Sequence, residues 1–226
     1  NGDVARQVMD QDITRQLGGV VVVDHYVKSI EQFSKDLDEF YKIHDFPVVL
    51  GETGAPIPDL QGNLSENAQS KYVRSLLEVM YKKRNFVYGL NYWVFLGGST
   101  ALFNDDLSPR QVTNDIKDYF IPATLYGKVV NSAGNPLPSA IVKTEDGLTI
   151  VQTDKTGLFS ISFPGNRKTN IHISAENYVS KILSDQLLPS NSSNEVTINL
   201  EPVSTNWIYN LQESFYKFLR SLSLFN

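Results

Sequence analysis

Three short stretches place polar and aromatic side chains where the chain leaves an apolar run. They are Asp24-His25-Tyr26, Gly51-Glu52-Thr53-Gly54 and Asn91-Tyr92-Trp93. Together they offer carboxylates, an imidazole, phenols and an indole. That set suits a sugar, because aromatic faces stack on the C–H surfaces of a pyranose while polar groups bond its hydroxyls. Glu52 stands out among them. A carboxylate directly after Pro47-Val48-Val49-Leu50-Gly51 is costly unless its surroundings use or satisfy the charge. The residues alone leave two readings open for Glu52: a functional carboxylate, or one bonded to a neighbouring loop or helix terminus. The alternative for His25 is a core or loop histidine, and for Trp93 it is plain packing.

The elements around these residues alternate in type. Val4, Val8, Ile13 and Leu17 recur at helical spacing, and Gly18-Gly19 ends that run. Val20 to Val23 are four consecutive valines, which predicts a strand buried on both faces of a helix-covered parallel sheet. Ser29 is a plausible N-cap for a helix with Ile30, Phe33, Leu37, Phe40 and Tyr41 on its apolar stripe. A second short buried strand ends at Glu52, and Thr53 to Asn63 reads as a loop. Ser65 opens the next helix. A third strand spans Phe86 to Phe95, and a last helix covers roughly 109–119, with Pro109 near its first turn. Strands alternating with helices predict a parallel sheet whose reactive side chains collect at the carboxyl ends of the strands.

A change of style follows Ile121-Pro122-Ala123. Up to Pro202 the chain runs in seven short alternating segments broken by Asn, Gly, Pro and Ser, which predicts an antiparallel β-sandwich. The tail, 204–226, changes again. Trp207, Ile208, Leu211, Phe215, Phe218, Leu219 and Leu222 fall at helical spacing. An amphipathic helix there would pack on its own protein or lie on a membrane surface. The expected domains are therefore 1–122, 123–203 and 204–226.

Bulk properties narrow the class of partner. The 226 residues carry a formal net charge of -5, which argues against nucleic acid, since phosphate binding needs a clustered basic surface. The basic run Lys82-Lys83-Arg84 fits a solvated helix end, where cations are favourable. There is no cysteine, hence no disulfide and no thiolate metal site. No stretch reaches the roughly 18 apolar residues of a membrane span. No cofactor is implied, no metal site is evident, and the oligomeric state is unspecified.

Two resemblances add expectations. Val20 to Tyr26, then Pro47-Val-Val-Leu-Gly-Glu-Thr-Gly54, then Gly89-Leu-Asn-Tyr-Trp-Val-Phe95, resemble in order the sixth, seventh and eighth strands of family 5 glycoside hydrolases and their clan relatives. The likeness covers about residues 1–120. It implies the closing part of a (β/α)₈ barrel, a retaining glycosidase acting on a β-linked polysaccharide or glycoconjugate. It assigns Glu52 as nucleophile, His25 and Tyr26 as substrate-binding residues of which one or the other bonds Glu52 and keeps it charged, and Trp93 as the floor of a sugar subsite. Retention of configuration needs a second carboxyl group roughly 5–5.5 Å away. In the clan that group ends the fourth strand, and this chain has only three such strands. Glu66 is not a substitute, because it opens a helix where the dipole favours a carboxylate. A whole barrel takes about 250 residues, so a segment of a longer polypeptide is expected, inactive by itself. The alternative is a non-catalytic, cell-surface carbohydrate-binding or adhesion protein with a degenerate barrel.

Residues 124–202 resemble the carboxypeptidase regulatory-like family, a seven-stranded, transthyretin-like sandwich. The features that carry the likeness are Asn131-Ser-Ala-Gly134, Pro136-Leu-Pro-Ser-Ala140, Thr153-Asp-Lys-Thr-Gly-Leu-Phe159 and Asn177-Tyr178, where Asn stands in place of the usual Gly. This likeness implies an accessory or spacer role without catalysis. Asp154 reads as a turn former; too few oxygen ligands cluster near it for calcium. Family and module type together imply an extracellular or cell-surface location in a bacterium.

Overall fold

A computed structural model of the chain describes residues 10–204. The amphipathic tail, apart from Ser204, and the first part of the expected helix over 4–17 lie outside the described residues. The chain divides into two compact units. The first holds residues up to 123 with two short pieces, 164–166 and 189–191, and the second holds the remainder.

The first unit runs α1 (Gln11–Gln16), β1 (Val21–Asp24), α2 (Ile30–His44), β2 (Val48–Thr53), α3 (Pro58–Gln61), α4 (Glu66–Lys82), β3 (Val87–Tyr92) and α5 (Gln111–Phe120). Local chemistry sets the helix boundaries. The Ser29 hydroxyl accepts from Gln32 N, capping α2, and Asp45 closes it in the left-handed conformation at φ 54°. Ser65 caps α4 in the same way through Ala68 N. The short helix α3 lies in a stretch expected to be loop; Pro58 starts it, with its φ already set for a helical turn.

The strands pair in parallel in the order β1-β2-β3. Phe33, Leu37 and Phe40 of α2, with Leu76 and Met80 of α4, pack against Val21, Val23, Val48, Leu50 and Val87 in one core. Both helices therefore cover the same face of the sheet, as right-handed crossovers between adjacent strands require. The other face is open. Val22 is 56% exposed and Tyr88 66% exposed, so the expectation of a valine strand buried on both faces is corrected.

The expected barrel portion is corrected as well. Closure requires every strand to be paired on both sides around a ring. Among the described residues β1 and β3 are edges of an open three-stranded sheet, and no barrel forms. The described residues are mainly β, with ten strands in three small sheets.

The second unit carries β4 (Ala123–Asn131), β5 (Ile141–Thr144), β6 (Ile150–Gln152), β7 (Leu158–Phe163), β8 (Thr169–Ser174), β9 (Lys181–Gln186) and β10 (Ser193–Leu200). They form two sheets, ordered β10-β4-β7 and β6-β5-β8-β9. Leu125, Val129, Ile161, Ile171, Ile173, Ile198 and Leu200 alternate inward and are buried. The sandwich is not wholly antiparallel, since β4 and β10 pair in parallel over eight residues. The five strands between them supply the long crossover that parallel pairing needs. A Cβ on Gly127 would meet Val196 O at 1.8 Å, so only glycine lets β4 lie this close to β10. The turns are stabilised locally. Asp154 Oδ1 accepts from Thr156 N at 2.8 Å and from Leu158 N at 2.9 Å, and Asn177 takes the left-handed conformation at φ 65°.

Candidate saccharide-binding site

Backbone hydrogen bonds lock the three strand ends of the first unit together. His25 N donates to Glu52 O at 2.8 Å, and Trp93 N donates to Thr53 O at 2.7 Å. The Thr53 hydroxyl donates to His25 O at 2.9 Å. This frame fixes where the side chains of Tyr26, Glu52 and Trp93 begin.

The Tyr26 hydroxyl donates to Glu52 Oε1 at 2.9 Å. Both residues are half-buried. Burial first, then the Glu52 carboxylate and the charge of Asp24, holds the Tyr26 phenol well above its usual pKa. It therefore stays a proton donor at any physiological pH, and its bond restricts the orientation of the Glu52 carboxylate. Asp24, at the end of β1, is exposed and pairs in register with Glu52. Its part in the local field was not foreseen from the sequence. The only signal was its place at a strand end, two residues before Tyr26.

His25 is placed elsewhere. Its side chain is 5% exposed and lies between Phe33 and Phe40, with ring centroids 5.8 Å and 5.4 Å away. Its Nε2 is 3.1 Å from Asp36 Oδ2, and Asp36 Oδ1 accepts from Gln32 Nε2 at 2.7 Å. The in-and-out alternation of β1 carries on just past its end, with Asp24 exposed, His25 buried and Tyr26 half-buried, so Tyr26 reaches Glu52 while His25 is turned into the core beneath.

Alternation also separates Tyr92 from Trp93. The Tyr92 hydroxyl donates to Ala55 O at 3.1 Å and packs against the second apolar cluster of the unit, with Val73 and Leu77. Trp93 is 51% exposed. A Cβ on Gly54 would meet Trp93 O at 2.2 Å, so glycine is required for the loop after Glu52 to lie against the start of the loop after β3.

That second loop is fastened by a residue the sequence reading did not single out. Gln69, fully buried on α4, donates through Nε2 to Ala55 O at 2.8 Å, Thr100 O at 3.1 Å and Ala101 O at 3.2 Å. The Ser99 hydroxyl donates to Pro56 O at 2.7 Å. The signal was a glutamine on the helix face that also carries Val73 and Leu76. Glu66 has a structural task too: its Oε1 accepts from Gln111 N, which ties the start of α4 to the start of α5.

Among the described residues no group of three or more His, Asp or Glu side chains converges as a metal site. What the site offers is oriented acceptors, a phenol and an exposed indole. That composition can bond the hydroxyls of a sugar and cover one of its faces.

No known family and no curated protein matches the chain. The expected membership in the family 5 hydrolases is corrected by the open three-stranded sheet of the described residues, and of the carboxypeptidase regulatory-like expectation the structure shows the two-sheet β-sandwich alone. Among solved structures, a chain of a type II cohesin–X-dockerin complex from Acetivibrio cellulolyticus is similar at 14% identity and TM-score 0.31, over 35% of this chain and 58% of that one. Hydroxyquinol 1,2-dioxygenase from Pseudomonas putida is similar at 15% identity and TM-score 0.28, over 36% of this chain and 57% of that one. The minor pilin of Streptococcus agalactiae is similar at 16% identity and TM-score 0.29, over 37% and 46%. The chain thus spans less than two thirds of the length of each of these structures.

Proposed function

We propose that the protein is a non-catalytic carbohydrate-binding or adhesion protein of the cell surface, with its saccharide site at Tyr26, Glu52 and Trp93. The observation that carries this reading is the half-exposed Trp93, whose backbone N–H bonds Thr53 O, together with the adjacent Glu52 carboxylate that accepts from the Tyr26 hydroxyl. An exposed indole on a loop pinned by Gln69 and Ser99 loses little freedom when a pyranose stacks on it, so more of the contact energy appears as affinity. Glu52 and Asp24 make the site rich in acceptors and negative in sign. Such a site favours neutral sugars, whose hydroxyls donate, over uronic acids and sulfated sugars, whose charge it repels. No described helix is long and apolar enough to cross a membrane.

The test is calorimetric titration of the full chain against β-linked neutral oligosaccharides. The expected result is saturable binding that Trp93→Ala abolishes and that acidic oligosaccharides do not reproduce. Binding by the wild type and by Trp93→Ala at equal strength would remove the site from this role.

A second reading is favoured by the Tyr26–Glu52 bond itself, which would also suit a carboxylate nucleophile in O-glycosyl hydrolysis. It needs a second carboxylic acid supplied by a longer polypeptide. In such a parent, Glu52→Gln keeps the side-chain shape and removes the nucleophile. Turnover of an aryl β-glycoside unchanged by that substitution would end the reading.

A further inference from the structure

The six-residue helix α1 is held to the first unit by little. Thr14 is its one buried side chain, and Gln11, Asp12, Ile13, Arg15 and Gln16 are exposed. Thr14 faces His44 at the end of α2, and both are fully buried. Arg15 adds its guanidinium, 5.9 Å from the centre of the Phe46 ring. The helix joins β1 through Gly18 and Gly19, at φ 110° and 72°, and a Cβ on Gly18 would meet nothing, so the joint stands clear of its surroundings.

Hydrogen bonding fixes the state of His44. The Thr14 hydroxyl donates its single proton to Asp10 O at 2.8 Å, so toward His44 Nδ1, 3.4 Å away, its oxygen can only accept. Nδ1 therefore carries the hydrogen of the neutral imidazole and Nε2 the lone pair. Nε2 is buried and has no hydrogen-bond partner. A second proton can enter only there, and it would leave a charged N–H in the interior without an acceptor. Asp10, which caps α1, is the charged group that acts on the ring, and its pull toward the proton is outweighed by burial. The other charges on the packed elements are paired or face water. Asp12 pairs with Arg15, Lys42 and Asp45 are exposed, and from α4 Lys83 pairs with Asp38 and Lys82 with Glu78. The carboxylates of β1 and β2, Asp24 and Glu52, lie toward the carboxyl ends of those strands, away from the end where α1 and α2 enter.

We propose that α1 is a proton-released strap: it stays docked while His44 is neutral and swings out on the Gly18–Gly19 joint when Nε2 takes up a proton, with the rest of the first unit still folded. Release admits water to the ring and removes the cost of the buried charge, at the loss of one buried threonine. A free helix of six residues does not hold together in water, so release also melts α1.

The test is amide hydrogen exchange of the full chain between about pH 7.5 and pH 5.5, corrected for the intrinsic effect of pH on exchange. The Leu17 and Gly19 amides, bonded to Ile13 O and Thr14 O, report on α1, and those of Leu76, Leu77 and Met80 report on α4. Protection at Leu17 and Gly19 should fall about tenfold per pH unit once His44 titrates, the slope for one linked proton, while α4 keeps its protection. His44→Phe fills the position and takes up no proton, so protection of α1 should then be independent of pH. Asp10→Ser keeps a capping oxygen and removes the charge that helps the proton in, so release should move to lower pH. A wild-type profile flat with pH, a fall shared by the α4 amides, or a fall that persists unchanged in His44→Phe would overturn the strap. If His44→Phe does not fold, Asp10→Ser decides: a release pH that stays or rises assigns the proton to another group and overturns it.

Discussion

At the residue scale, the site is three side chains whose roles separate cleanly. In the proposed site Trp93 would supply the face and Glu52 the acceptor, whose orientation the Tyr26 hydroxyl restricts. Because Trp93 is 51% exposed, Trp93→Ala should change unfolding stability by no more than about 0.5 kcal/mol while weakening saccharide binding at least about tenfold. Urea denaturation and calorimetric titration of one preparation would measure both. Tyr26→Phe should lower affinity by a smaller factor and cost about 1 kcal/mol in stability, since it leaves Glu52 with one hydrogen bond fewer. His25 behaves as a core residue, with its imidazole packed between two phenylalanines and facing Asp36. Spacing alone could not separate that role from a site role. Which of two consecutive strand residues faces the site depends on which face of the sheet the helices cover.

At the element scale, α4 and α5 are joined through charge. Arg74 of α4 contacts Asp115 Oδ1 at 2.9 Å and Asp118 Oδ2 at 3.2 Å on α5, and both carboxylates are buried. The Ser70 hydroxyl also donates to Asp115. Arg74→Ala would remove the cation that faces two buried carboxylates and leave them to neutral donors, Ser70 for Asp115 and Asn166 with Ser190 for Asp118. It should destabilise the first unit by about 2 kcal/mol or more, read as a lower urea midpoint at neutral pH. The contact between α1 and α2 depends on pH for a related reason. His44 is fully buried, and its Nδ1 lies 3.4 Å from the Thr14 hydroxyl. Burial lowers the pKa of the imidazole below its ordinary value of 6.5, against a weaker opposing pull from Asp10. The unfolded chain therefore binds this proton more readily than the folded one. The His44 contribution is complete above about pH 6.5 and is lost as pH falls through the lowered folded value. His44→Phe should flatten this part of the stability profile between about pH 7.5 and pH 5, as measured by urea midpoints. A wild-type slope in the variant would assign the pH dependence to other groups.

At the scale of the whole molecule, the two units have separate cores, and the candidate site belongs to the first. Ile173→Ala should cost the second unit about 2–5 kcal/mol, because the side chain is fully buried and leaves a cavity. Saccharide binding at Trp93 should be unaffected, which titration of the variant would check. Much of this organisation was legible in the sequence. Ser29 and Ser65 marked helix starts because a capping hydroxyl acts on amides only a few residues away. The seven strands of the second unit showed through their alternation, since side-chain direction along a strand is a local property. Glu52, Tyr26 and Trp93 could be picked out because each lies within a few residues of the end of an apolar run. Tertiary structure alone decided what those runs became. The parallel strands form an open sheet covered on one face, and no residue in Val20 to Val23 encodes how many neighbours its strand will have. Likewise the first and last strands of the second unit meet in parallel, a pairing between residues some seventy positions apart. Caps, turns and alternation act over a few residues and are written in the chain directly. Sheet closure, the choice of covered face and the burial of His25 depend on distant segments meeting, which a local pattern does not specify.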